Sequence, residues 1–196
     1  MASLDLTPPR IIELFQQVDA QLYQLTDRNH AVMIAGGAAV ALLWDDRRIT
    51  NDVDVVSEGM TPLLRAAIAR VARDYDLEPG WFNDAAKLKA PALPIDDPIL
   101  VFDGERLRVY AVPARYALAM KLVSARDVDK WDIPALLAAS DIKTRGELYR
   151  LVQDAYPSHR IPAATTYVID QAWEAHQQNR IEREEEGPYR GLSLGL

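Results

Sequence analysis

Asp52 and Asp54 stand two residues apart in the segment Thr50-Asn51-Asp52-Val53-Asp54-Val55-Val56. Side chains alternate along an extended chain, so Thr50, Asp52 and Asp54 share one face while Val53 and Val55 take the other. The strand rise sets the two acidic Cα atoms about 7 Å apart. Carboxylates at that spacing repel each other unless a cation or hydrogen-bond donors compensate, and a hard oxygen site for Mg2+ is one such compensation. Two solvated acids at a strand edge satisfy the same pattern. Gly36-Gly37 closes the apolar run Ala31-Val32-Met33-Ile34-Ala35 and opens Ala38 to Trp44. There the missing side chains let backbone N–H groups approach a phosphate, and a helix N-terminus favours negative charge; a tight turn or close helix packing uses the glycines equally well. Arg48 lies just before the acids. Farther on, Ala114, Ala117, Lys121 and Ser124 share one helix face that either borders a cavity or is simply solvated. Asp129 and Asp132 lie at i and i+3 on the next helix, placed to steer Lys121, to position a substrate or to form an ordinary ion-pair network.

Holding these residues requires a strand, a glycine turn and helices, and the hydrophobic periodicity supplies each. Pro8-Pro9 precedes Phe15, Val18, Leu22 and Leu25 at helical spacing, which predicts an amphipathic helix over about 10–26. Residues 31–35 read as a short buried strand, 38–44 as an Ala/Leu-rich helix, 52–56 as a valine-rich strand, and 61–74 as a helix opened by Thr61-Pro62. Pro79 to Pro98 contains four prolines and reads as a loop. Within it, Trp81-Phe82-Asn83-Asp84 with Lys87 and Lys89 is either a packed aromatic anchor beside solvated lysines or an aromatic and two cations that meet a base and its phosphates. Residues 99–102, Asp103-Gly104-Glu105 and 107–112 form a hairpin by turn chemistry. After Pro113 the strand signals stop and helical patterns follow at about 113–124, 128–139, 144–155 and 163–178. The expected organisation is a core over 1–112, a helical C-terminal subdomain over 113–180 and a flexible acidic tail over 181–196. His30, His159 and His176 join no ligand spacing and read as structural or surface residues.

Taken together, Ile34-Ala35-Gly36-Gly37-Ala38-Ala39, Arg48-Ile49-Thr50-Asn51-Asp52-Val53-Asp54-Val55, Ala119-Met120-Lys121-Leu122 and Arg126-Asp127-Val128-Asp129-Lys130-Trp131-Asp132-Ile133 resemble the minimal nucleotidyltransferases of the AbiEii/MenT toxin type. The resemblance covers about residues 31–136. It implies an α+β protein with the polymerase-beta-like nucleotidyltransferase fold, a small mixed sheet flanked by helices and followed by a helical C-terminal part. It also implies Mg2+-dependent transfer of a nucleoside monophosphate from an NTP to an acceptor, in toxin members the 3′ end of tRNA. On that resemblance Asp52 and Asp54 hold Mg2+, and Gly36 and Gly37 cradle phosphates. Arg48 and Lys121 neutralise the triphosphate, Lys121 counting with the two acids as catalytic, while Thr50, Asp129 and Asp132 complete the nucleotide site. The implied partners are an NTP, a tRNA acceptor and a cognate antitoxin protein. The chain departs from the fuller pattern in two places. Leu107 to Val112 carries no third acid and places Arg106, Arg108 and Tyr110 on one face, and Ala38-Ala39 stands where a hydroxyl residue often follows the glycines. These departures favour the alternative, a catalytically weakened fold member that binds nucleotide or protein.

A net charge of −7 opposes a broad, sequence-independent grip on a polyanion and confines any nucleic-acid contact to a local basic patch. The absence of cysteine excludes disulfides and thiolate metal sites. The longest uncharged run, Ala31 to Trp44, is shorter than the roughly 20 apolar residues a membrane span needs. The first residues show no basic segment leading into an apolar one, so no secretory signal is expected and the cytoplasm is the expected compartment.

Overall fold

Apolar residues at helical and strand spacing set the element order in the computed structural model, which describes residues 5–126 and 129–185. Pro8–Leu25 forms α1, whose proline pair suits a first turn where N–H groups have no partner anyway, and which buries Ile11, Leu14, Phe15, Val18 and Leu22. Next come β1 (His30–Ala35), α2 (Gly36–Leu43), β2 (Val53–Val55) and α3 (Pro62–Asp74). Thr61 caps α3 by accepting from the Leu64 N–H at 3.2 Å, a cap worth about 1 kcal/mol. β3 (Phe82–Asn83), β4 (Ile99–Asp103) and β5 (Leu107–Ala111) complete the strands, and α4 (Ala114–Ser124), α5 (Asp129–Ala139), α6 (Arg145–Ala155) and α7 (Thr165–Glu185) follow.

The five strands form one mixed sheet in the order β3-β2-β1-β5-β4. β1 runs antiparallel to β2 and parallel to β5, β2 is parallel to β3, and β4 is antiparallel to β5. The register pairs Ile34 with Val55 and Ala35 with Asp54, which sets the glycine turn after Ala35 beside the acidic pair. One face of the sheet, with Val32, Ile34, Val53, Val55, Leu107 and Val109, packs on the apolar sides of α1 and α3. A second interior joins Leu118 and Leu122 of α4, Ile133 and Leu136 of α5, Leu148 and Leu151 of α6, and Ile169 of α7. The expected α+β class, small mixed sheet and helical C-terminal part are all present. The hairpin turn is fixed from outside: the Asp19 carboxylate of α1 accepts from the N–H groups of Glu105 at 3.2 Å, Arg106 at 2.8 Å and Leu107 at 2.7 Å.

Two local differences from the sequence reading stand out. The proline-rich stretch contains β3, because Trp81 and Phe82 are buried and Phe82 stacks on Phe15 with ring centroids 5.5 Å apart. That burial also settles the aromatic pair as an anchor and removes it from nucleobase contact. α7 runs to Glu185, past the expected start of the tail at 181, and is anchored near its start by the buried Ile169. Residues 186–196, the rest of the expected tail, lie outside the described residues.

Candidate functional site

β2 presents its two chemistries as alternation requires: Val53 and Val55 are fully buried against α1 and α3, and Asp52 and Asp54 point to the opposite side. Gly36 opens α2 at φ +68°, and a Cβ there would lie 2.6 Å from Asp54 Oδ2. Only glycine tolerates both the left-handed backbone and that contact. At Gly37 a Cβ would meet Thr50 Oγ1 at 2.5 Å, so Thr50 packs directly against the turn. Thr50 is itself held by a backbone bridge to Leu6, with N···O distances of 2.9 and 3.2 Å. α2 has no side-chain cap on its first turn. The register, the two glycines and the N-terminal bridge therefore fix the acidic pair against a helix start.

Asp52, Asp54 and Gly36 line a cavity of about 560 Å3 whose other walls are α4, through Ala117, Met120, Lys121 and Ser124, and Lys89, Arg126, Tyr156 and Arg160. Burial, then the neighbouring Asp52 charge, pushes the Asp54 carboxyl up to about 6, while Arg126, Lys121 and Lys89 oppose the rise. The two carboxylates thus share a partly desolvated wall without an ion pair of their own among the described residues, and this donor set fits a hard divalent cation. Among the described residues no group of three or more His, Asp or Glu side chains is placed to hold a metal ion together. β5 supplies no third acid: Arg108 pairs with Asp103 at 2.7 Å and Arg106 reaches Asp27 at 3.5 Å. A larger open groove of about 650 Å3 between α1, α2 and β4 is lined mainly by Pro8, Ile12, Leu42, Leu43 and Leu100. It gathers no set of reactive groups, so the chemistry converges on the smaller cavity.

Lys121, Asp129, Asp132 and Arg48 form a charged frame beside the acids. Lys121 is only 4% exposed; its Nζ donates to Asp129 Oδ1 at 2.8 Å and stands 2.6 Å from Asp132 Oδ2, an ion-pair contact not aligned as a hydrogen bond. Asp132 accepts from Arg48 Nε at 2.6 Å through its other oxygen. Burial pushes the Asp129 carboxyl up, but hydrogen bonds from Lys121 and Ser124 outweigh it, and Lys121 and Arg126 help hold it below its usual range. Arg126 approaches Asp129 at 3.3 Å, and Ala125 just before it ends α4 in the left-handed conformation at φ +50°.

All nine residues singled out by spacing or resemblance thus meet in one region, and the geometry chooses among the alternatives for three of them. Lys121 does border the cavity, but as a buried, ion-paired ammonium and not as a solvated cation. Asp129 and Asp132 turn their oxygens onto Lys121, Arg48 and Arg126, because leaving the lysine unpaired there would cost several kcal/mol. Lys87 pairs with Glu58 away from the acids. Sequence reasoning missed Arg160 and the role of Arg126 in the wall, whereas Lys89, one of the two cations offered as phosphate contacts, does line the cavity. Arg126 had a signal in its three-residue offset from Asp129; Arg160 had none, since only tertiary packing brings it near. His30 is buried and bonds Thr61 Oγ1 through Nδ1 at 3.0 Å, a structural role as expected.

No described helix is long and apolar enough to cross a membrane. Neither a curated protein nor a solved structure matches the chain. The family described as "Nucleotidyltransferase of unknown function (DUF6036)" matches residues 10–179, a span that runs from α1 into α7 and includes every residue of the cavity. With its mixed sheet, glycine turn and paired acids, the chain belongs to this nucleotidyltransferase family.

Proposed function

We propose that the protein is a Mg2+-dependent nucleotidyltransferase that moves a nucleoside monophosphate from an NTP to an acceptor hydroxyl. The observation that carries this reading is the meeting of Asp52 and Asp54 with the Gly36 turn in one cavity walled by cations. Asp52 and Asp54 would hold Mg2+, which when bound offsets their repulsion and draws charge from the phosphates. Gly36 and Gly37 let the α2 backbone approach a phosphate, and Thr50 supports that turn from below. Lys121 and Arg48, steered by Asp129 and Asp132, fix the charged frame beside it. In the transfer, the acceptor oxygen forms a bond to the α-phosphorus as the bond to the bridging oxygen breaks; pyrophosphate leaves and the hydroxyl proton passes to solvent. Such chemistry needs positioning and electrostatics and no protein nucleophile.

The resemblance to toxin members extends the reading to a tRNA 3′ end as acceptor and to a cognate antitoxin as protein partner in the cytoplasm. The chain's charge of −7 requires RNA to be gripped locally, and the cavity offers such a place in its exposed cations Lys89, Arg126 and Arg160. Incubation of the protein with Mg2+, each labelled NTP and total tRNA is expected to give labelled RNA, lost with EDTA or in Asp52→Asn. The two-carboxylate site favours a second reading, a weakened member that binds nucleotide without transferring it. Mg2+-dependent NTP binding with no transfer to RNA or protein would select that reading; no NTP binding at all would reject both.

A further inference from the structure

The cations that spacing brings forward, Arg48 and Lys121, are already matched. With Asp129 and Asp132 they make a set of two positive and two negative charges, which Arg126 joins through Asp129. Three more cations line the cavity with Asp52 and Asp54: Lys89, Arg126 and Arg160. Lys89 ends the 3-10 turn Ala85–Lys89, and Arg160 ends the 3-10 turn Ser158–Arg160 that follows α6. The two turns are bolted together through the backbone. Arg160 Nη2 donates to the Leu88 carbonyl at 2.8 Å, Tyr156 Oη donates to the Lys89 carbonyl at 3.0 Å, and the Arg160 guanidinium lies 5.7 Å from the Tyr156 ring centroid. Among the described residues neither Lys89 nor Arg160 makes an ion pair, and Lys89 acts on Asp54 only through its field. Gathering exposed cations on one wall raises its positive potential and is unfavourable until an anion arrives.

We infer that Lys89, Arg126 and Arg160 are the receptor for the β- and γ-phosphates of the donor nucleotide, while Arg48 and Lys121 brace the wall and do not touch the triphosphate. This rests on the nucleotidyltransferase reading above. In that reading the α-phosphate lies at Asp52, Asp54 and the glycine turn, and two further phosphates, which a monophosphate lacks, extend from there toward the three cations. Arg126, bonded to Asp129, is the link between that charge set and the receptor. A phosphodiester of an RNA acceptor offers the same oxyanion chemistry, so the test separates the two sources.

Binding of each NTP, its NMP and a short single-stranded oligoribonucleotide is measured calorimetrically with Mg2+, for wild type, Lys89→Gln, the Lys89→Gln/Arg160→Gln double variant and Lys89→Arg, with melting curves alongside. The expected result is a preference of wild type for the best NTP over its NMP. The double variant should lose roughly tenfold or more of NTP affinity, the worth of one charge-assisted hydrogen bond, while NMP binding stays within about twofold, and Lys89→Arg should keep wild-type behaviour. Should the double variant melt early, Lys89→Gln alone decides, since that side chain is exposed and unpaired. Unchanged NTP affinity in a folded variant overturns the inference, as does a loss confined to the oligoribonucleotide. Failure of the underlying reading looks different: wild type then binds no NTP.

Discussion

Replacing Asp54 with asparagine removes one of two like charges from a partly desolvated wall and leaves the side chain's shape. In the protein without metal, burial and Asp52 raise the Asp54 carboxyl from 3.8 to about 6. Keeping it ionised at pH 7 then costs about 3 kcal/mol at most, and roughly 1–3 kcal/mol once solvent screening of the half-buried group is allowed for. Because the folded state holds a proton that the unfolded chain has already released, this group makes the metal-free protein lose stability as pH rises from about 4 to 6, with the loss complete above that window. Asp54→Asn lacks that slope and melts higher at pH 7, by about 2–4 °C for each kcal/mol in a chain of this size. Mg2+ with NTP reverses the order, since ligand stabilises the wild type by mass action and the variant has lost a ligand oxygen. Scanning fluorimetry from pH 4 to 8, with and without Mg2+ and NTP, reads both effects as the difference between the two proteins. Parallel pH curves, a lower melting point for the variant at pH 7, or an equal Mg2+/NTP shift would each refute the reasoning.

Lys121→Met is expected to destabilise by about 3–5 kcal/mol in urea titration, because Asp129 and Asp132 are left buried without their shared cation; a neutral outcome would show that the pair of aspartates relaxes to solvent. Gly36→Ala should cost about 1–2 kcal/mol from the left-handed backbone alone and should blunt the Mg2+/NTP thermal shift, since the added methyl meets Asp54 at 2.6 Å; a full thermal shift in a folded variant would separate the turn from the site. Asp19→Ala removes the acceptor for three N–H groups of the β4–β5 turn and should cost roughly 1–3 kcal/mol, with faster amide exchange at Glu105 to Leu107 as its local signature and unchanged exchange as the contrary result.

Much of the site was legible because short-range patterns encode it. Two-residue alternation placed Asp52 and Asp54 opposite Val53 and Val55, and an apolar run ending in two glycines marked the β1–α2 turn. The three-residue offset of Asp129 and Asp132 set both carboxylates toward Lys121. What spacing does not encode is depth: a lysine among alanines on a helix looks the same whether its ammonium is solvated or sealed under α5, and only packing made Lys121 buried. β3 escaped because a two-residue strand has no period, and it exists only since Phe82 pairs with Val53 while its ring fills the space beside Phe15. Thr50 looked like a member of the acidic face, yet its place under Gly37 depends on Leu6, far off in sequence. Arg160 is the extreme case, drawn to the cavity by a carbonyl of residue 88.

The contact between Arg48 and Asp132 spans 84 residues, and its consequence is temporal. Closing so long a loop is entropically slow and is repaid only after both apolar interiors have condensed. A chain emerging from the ribosome displays Gly36, Asp52 and Asp54 well before α5 exists to receive Arg48, so the acids are born without the wall that faces them. The cavity wall is therefore complete only once Arg160 has been made. A nucleotide long enough to touch both walls would act as a clasp across the two interiors, so that its arrival would slow hydrogen exchange in α3 and in α6 together, though it lies against neither core.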